Sequence, residues 1–353
     1  MSEQVHSAVV PGPRTLVEVD CAIVGGGAAG LSAAINLGRM RRSVVVVDDK
    51  VRLRWRHRLH NYLGFPDGIA AGELRMIGRR QARQYGATFY IGLVTSAARE
   101  RERFRLRLEA SPTRPTGAAG VPDDSERETL ATSECIEVDR PLEVLARSVV
   151  LATGVRGHFP DFPGRDACVG VSLFWCIHCD GYESIDRTVA VVGHDDEAVQ
   201  TALDLLDFTP HVTLVAGRAD GFSVGPARLG DVGRSGIATH PCAVVEYRHD
   251  DGHIRSLVLA DAASTDLPVE QVYTIRRTTA TNALARMLGV GLNEIGQIDV
   301  DINQQTNVPG VFAAGDVTSP HDHQFSAAVH EGNQAACAAN YFLYRPEQKA
   351  AAE

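Results

Sequence analysis

A chain of 353 residues, 44% of them apolar, is long enough to bury two or three sizeable cores. Its formal charge of -9 excludes a sequence-independent grip on nucleic-acid phosphates or anionic lipid, both of which need clustered positive charge. No apolar run approaches the roughly 18 residues of a spanning helix. Met1 to Arg14, with Glu3 and two prolines, lacks a signal-peptide core, so a cytoplasmic protein with no membrane or nucleic-acid partner is expected.

Leu16 to Val24 has the pattern of a short strand, and Gly25-Gly26-Gly27-Ala28-Ala29-Gly30 follows it. A helical stretch to about Arg41 and a second strand, Ser43 to Val47, complete a βαβ opening. In such a unit Gly25 allows the tight turn, Gly27 lets the backbone approach a pyrophosphate and Gly30 permits close packing of helix on strand. Asp48 ends the second strand, placed to accept hydrogen bonds from an adenosine ribose. Next come Arg52, Arg54, Arg56 and Arg58 around Trp55, a basic patch in an acidic chain. It suits an acidic redox protein, a substrate entrance or a solvated face. Ser111 to Glu128, with prolines and glycines and no periodic apolar residues, predicts a surface loop.

Ser148 to Leu151 predicts a buried strand running into Ala152-Thr153-Gly154, and the proline- and glycine-rich stretch Gly157 to Gly164 predicts a crossing into a second unit. Cys176-Ile177-His178-Cys179-Asp180 then places two thiols two residues apart, a spacing that holds or releases an electron pair as a disulfide closes or opens. The other cysteines, at 21, 135, 168, 242 and 337, form no regular framework and supply no familiar zinc spacing. Protonated His178 would lower the thiol pKa.

Arg187 to Val192 predicts another strand, followed by Gly193-His194-Asp195-Asp196-Glu197-Ala198, with acid where a dinucleotide loop carries glycine. After the strand His211 to Val215 the chain reads Ala216-Gly217-Arg218, with one arginine near the place for a 2′-phosphate. The return crossing is expected near Arg276 to Thr281. Val308 to Ala314 predicts a last buried strand into Gly315-Asp316, and His321, Asp322, His323, Gln324, His330 and Glu331 follow on a helical stretch. His323 and His330, seven apart, share a helix face.

The strand-and-glycine motifs at Gly25 to Gly30, at Gly154 and at Gly315, with Cys-x-x-Cys-Asp-Gly at 176 to 181, resemble the flavoprotein disulfide reductases, in particular the low-molecular-weight thioredoxin reductases, over about Glu18 to Leu343. The resemblance implies an α/β protein of two Rossmann-like nucleotide-binding domains, the second inserted in a discontinuous FAD domain. The FAD domain would be 15–157 and 280–345, and the inserted NADPH-like domain, carrying the dithiol, 158–279. It implies bound FAD and a homodimer. Cys179 would be the sulfur nearer the flavin, Cys176 the exchanging sulfur and Asp180 the acid serving the leaving thiol.

By the same likeness Gly25, Gly27, Ala29, Gly30, Asp48, Asn61, Ala152, Thr153, Gly154, Gly315, Asp316, His323 and Gln324 bind the cofactor, and His330 is a candidate proton carrier. The chain departs from the family at Asp195 and in its shortage of basic residues after the strand ending at Val215, so poor NADPH use is expected. The expected function is disulfide oxidoreduction with a thioredoxin-like protein or a small dithiol or disulfide, the donor being a carrier such as ferredoxin. The alternatives are a dithiol oxidase using O2 and a non-catalytic flavin redox sensor.

Overall fold

A computed structural model of the chain describes residues 15–49, 57–111, 135–275, 277–318 and 323–350. Arg52, Arg54, Trp55 and Arg56 of the basic patch, His321 and Asp322, and all but Ser111 of the expected loop to Glu128 lie outside the described residues.

The chain builds a mixed sheet, parallel except for two antiparallel strands at one edge, and a second, parallel sheet joined to it by a ribbon, in keeping with the α/β pattern. In the first, an eight-stranded sheet, the order is Leu93–Glu100, Arg103–Glu109, Leu142–Leu151, Thr15–Val24, Val44–Asp48, Thr88–Ile91 and Ile136–Glu137, and Val311–Ala313 also pairs with Leu142–Leu151. The βαβ opening runs Thr15–Val24, helix Ala28–Arg39, then Val44–Asp48, within two residues of the boundaries read from sequence. Because side chains alternate across a strand, Cys21 and Ile23 pack on one face with helix residues Leu31, Ala34 and Leu37. Ala22 and Val24 pack on the other with Leu106, Val144 and Leu151.

Helix Ala28–Arg39 lies against the last long helix, Phe325–Phe342, so closely that a Cβ on Gly332 would fall 2.1 Å from the Ala29 carbonyl oxygen. A five-stranded parallel sheet follows, in the order Leu173–Phe174, Gln271–Thr274, Val189–Val192, Val212–Val215 and Ala238–His240. Its core holds Val189, Val191, Leu214 and the fully buried Tyr273. Val155–His158 pairs antiparallel with Arg277–Ala280, and this two-stranded ribbon carries the chain between the sheets in both directions.

Candidate active site

Cys176 and Cys179 are joined in a disulfide, their Cα atoms 5.3 Å apart. Cys176 caps the one-turn helix Ile177–Asp180, and its sulfur accepts the Cys179 N–H at 3.2 Å, so the cysteine spacing and the helix start are one local solution. Gly181 follows because a Cβ there would sit 2.9 Å from the Phe208 ring. His178 points outward and is exposed. Among the other cysteines, burial pushes the Cys21 thiol up to about 12, which marks an inert core residue.

The sulfurs are met by the start of the last long helix. Gln324, its N-cap, donates Nε2–H to Cys179 Sγ at 3.3 Å and to Cys176 Sγ at 3.7 Å, while its Oε1 accepts from Asn61 Nδ2 at 3.0 Å. Tyr62 packs edge-on against Phe325 at 5.1 Å, which fixes the loop that carries Asn61. Asp180 is 5% exposed; its Oδ1 lies 3.5 Å from His57 Nε2 and its Oδ2 is buried with no hydrogen-bond partner. His330 is exposed on the second turn of the same helix, while the next residue, Glu331, turns inward and accepts the Gly315 N–H at 2.6 Å.

The first glycine loop has the shape of a pyrophosphate cradle. Gly25 has φ +108°, and a Cβ there would fall 2.1 Å from the Ala152 carbonyl; one on Gly30 would fall 1.9 Å from the Gly25 carbonyl. A Cβ on Gly27 or Gly154 would meet nothing within 4 Å, so the N-terminus of helix Ala28–Arg39 opens onto free space. Ala29 is buried against Gly315 and the last long helix. Thr153 donates to the Thr281 carbonyl at 2.7 Å, Gly315 has φ +81°, and Asp316 and His323 are half-buried. This open loop at the carboxyl ends of parallel strands fits a dinucleotide cofactor such as FAD.

Asp48 accepts the Gly26 N–H on Oδ1 at 3.1 Å, and on Oδ2 it meets Arg75 at 3.0 Å and Arg79 at 2.5 Å. A carboxylate has about four acceptor positions, so Gly26, Arg75 and Arg79 take up most of the capacity of this buried acid. Arg75 and Arg79 carried no sequence signal, because they stand among four arginines in the helix Ala71–Gln84.

The second glycine loop is closed by its own side chain. Asp195 is the N-cap of helix Asp196–Asp204 and accepts the Ala198 N–H at 3.1 Å, so a carboxylate already occupies the helix end that a phosphate would need. Arg218, the arginine expected near a 2′-phosphate, is paired in two hydrogen bonds with Asp220.

Residues 19–335 match the sequence profile of the pyridine nucleotide-disulphide oxidoreductases. The chain is 28% identical over 344 residues to an alkyl hydroperoxide reductase component of Xanthomonas campestris pv. phaseoli, covering 95% of this chain and 59% of that relative. It thus spans under two thirds of that relative's length. In three dimensions it resembles HlmI, with a TM-score of 0.77 and 28% identity over 95% of each chain. It also shares the fold of the thioredoxin reductase of Streptococcus pyogenes, with a TM-score of 0.76 and 21% identity over 93% of this chain and 98% of that one.

Proposed function

Because the chain belongs to the pyridine nucleotide-disulphide oxidoreductases, an enzyme family whose members carry FAD, we propose that it moves an electron pair between flavin and a thiol or disulfide substrate through Cys176 and Cys179, and draws that pair from a source other than NADPH. The observation that carries this reading is the Cys176–Cys179 disulfide contacted by the Gln324 amide and followed in the chain by the buried Asp180. We divide the chain at the ribbon into an FAD domain, 15–157 and 280–345, and an inserted domain, 158–279. FAD supplies two-electron exchange when bound, with Gly25, Gly27, Gly30 and Asp48 holding its adenylate half and Gly315, Asp316, His323 and Gln324 facing its ring.

Gln324 orients the sulfurs, and Asp180 holds the proton that a leaving thiolate needs. The donor argument rests on Asp195. A carboxylate about 4 Å from a phosphate repels it by roughly 1 kcal/mol in water and about 4 kcal/mol at an effective dielectric near 20. It also removes the helix N–H that the phosphate would use. A homodimer acting in the cytoplasm on a thioredoxin-like protein or a small dithiol belongs to the same proposal, with a ferredoxin-type donor.

The test mixes purified flavin-loaded protein anaerobically with NADPH, NADH, reduced ferredoxin or dithiothreitol and follows flavin absorbance. Bleaching by dithiothreitol and ferredoxin, with NADPH at least about 100-fold slower, is expected; that ratio corresponds to roughly 2.7 kcal/mol. Rapid bleaching by NADPH overturns the donor assignment. A Cys179→Ser protein that still turns over a disulfide overturns the dithiol. Reoxidation by O2 with turnover of a dithiol would assign the oxidase direction, and bleaching without turnover by every donor would assign a sensor.

A further inference from the structure

Two histidines of one segment meet two carboxylates of another at matching spacing. His57 Nε2 lies 3.5 Å from Asp180 Oδ1, and three residues further along both segments His60 Nε2 lies 4.0 Å from Glu183 Oε1. The second oxygen of each acid, Asp180 Oδ2 and Glu183 Oε2, is buried and lacks a hydrogen-bond partner. Leaving a buried acceptor unsatisfied is costly, so each carboxylate has reason to keep a proton or a cation close. The His57 side chain is 14% exposed, walled by the Trp175 ring at 5.9 Å and by Gly170, where a Cβ would sit 2.6 Å from it.

We propose that His57 is a positioning residue for the dithiol: it holds the proton that Asp180, next in the chain to Cys179, takes from and returns to the sulfurs. His60 and Glu183 form an outer pair that keeps the two segments in register. This deepens the dithiol reading and rests on it. Burial, reinforced by the Asp180 and Glu183 charges, pushes the Tyr273 phenol up, so it stays neutral. Arg58 turns away to the carbonyl oxygens of Asp67 and Gly68.

The exchange step balances without any further reagent. The reduced Cys176 thiol gives its proton to the Asp180–His57 pair, and its thiolate attacks one sulfur of an outside disulfide. The first thiolate leaves and takes that proton. Cys179 then loses its proton to the same pair and attacks Cys176 in the mixed disulfide, and the second leaving thiolate is protonated in turn. Two protons and two electrons pass from the cysteine pair to the outside sulfurs.

The test reduces full-length, flavin-loaded protein with dithiothreitol in anoxia, removes the reductant, and measures from pH 5 to 9 both thiol labelling by iodoacetamide and exchange with a chromogenic aromatic disulfide. In the wild type the exchange rate should carry an inflection that belongs to the Asp180–His57 pair. His57→Asn and Asp180→Asn should each remove that inflection and slow exchange roughly 10²-fold, the lower end of general acid–base contributions. His57→Gln should do the same while filling more of the site, which guards against a misfolded His57→Asn. His60→Asn should keep the inflection and cost less than about tenfold. Exchange by folded His57 variants that keeps the wild-type pH profile, even if uniformly slower, overturns the assignment. Wild-type protein in which Cys176 and Cys179 take no label after reduction would instead refute the dithiol reading itself.

Discussion

The two glycine loops share a strand-to-helix connection and differ in what fills them. In the first, the Gly25 N–H reaches the Val47 carbonyl at 2.8 Å; in the second, the Gly193 N–H reaches the Val215 carbonyl at 2.9 Å. Each crosses from a central strand into a helix beside a parallel neighbour. Yet the first leaves open space at Gly27, while the second places the Asp195 carboxylate on its own helix N-terminus. Topology is therefore retained independently of occupancy, because strand pairing and the glycine turn are backbone properties and phosphate binding depends on one or two side chains.

Crowding the first loop should separate the two most strongly. Gly30→Val puts a Cβ 1.9 Å from the Gly25 carbonyl, a backbone atom that cannot swing aside. It should destabilise the protein by about 3 kcal/mol or more and leave it without flavin, as read by absorbance and Tm. Gly193→Ala, at the first glycine of the second loop, brings a Cβ to 2.5 Å from Ile275 Cγ1 and 2.7 Å from Ala198 Cβ, a crowding that stays within the insert, so flavin retention is expected. Loss of flavin in both proteins would break the contrast.

Asp195→Gly is the middle case. The helix loses its cap at a cost of a few tenths of a kcal/mol, and NADPH-driven flavin bleaching should accelerate at least about tenfold as the repulsion is lifted. An unchanged NADPH rate in a folded variant would move the block elsewhere in the insert.

Acid stability at the bases of the two sheets should differ least. For Asp20, burial raises the pKa, but hydrogen bonds from Ser43 and Arg147 outweigh it and hold the carboxyl below its ordinary value. Glu270 is lowered by the Thr188 N–H and by Arg187. A depressed folded-state pKa gives stability that is present above the ordinary carboxylate range and lost as pH falls through the folded value. Asp20→Asn and Glu270→Gln should therefore each lower Tm slightly at pH 7 and flatten its decline toward pH 3. A decline as steep as the wild type's in both variants would show that neither acid links folding to pH.

The first βαβ unit and the dithiol were legible because each depends on neighbours in sequence: glycine spacing for the turn, alternation for the strand, and a two-residue gap for the disulfide. The acidic second loop was legible for the same reason, although Asp195 as a helix cap came only with the structure. Gln324 was expected to contact a flavin ring; the structure puts its amide on both sulfurs, a contact across 145 residues from Cys179. His330, a candidate from the helical pattern, is exposed, whereas His57, which carried no motif, lies against Asp180.

The parallel α/β architecture, the glycine cradle, the redox pair and the acid in the second loop are all written in the order of residues, since each is set by backbone conformation and residue type over short spans. Which side chains converge on the sulfurs is settled by folding alone. Asn61, His57 and Gln324 reach the dithiol region because the ribbon at 155–158 and 277–280 brings the insert back onto the first sheet's loops. Such long-range convergence is fixed by the packing of whole elements, and no local pattern encodes it.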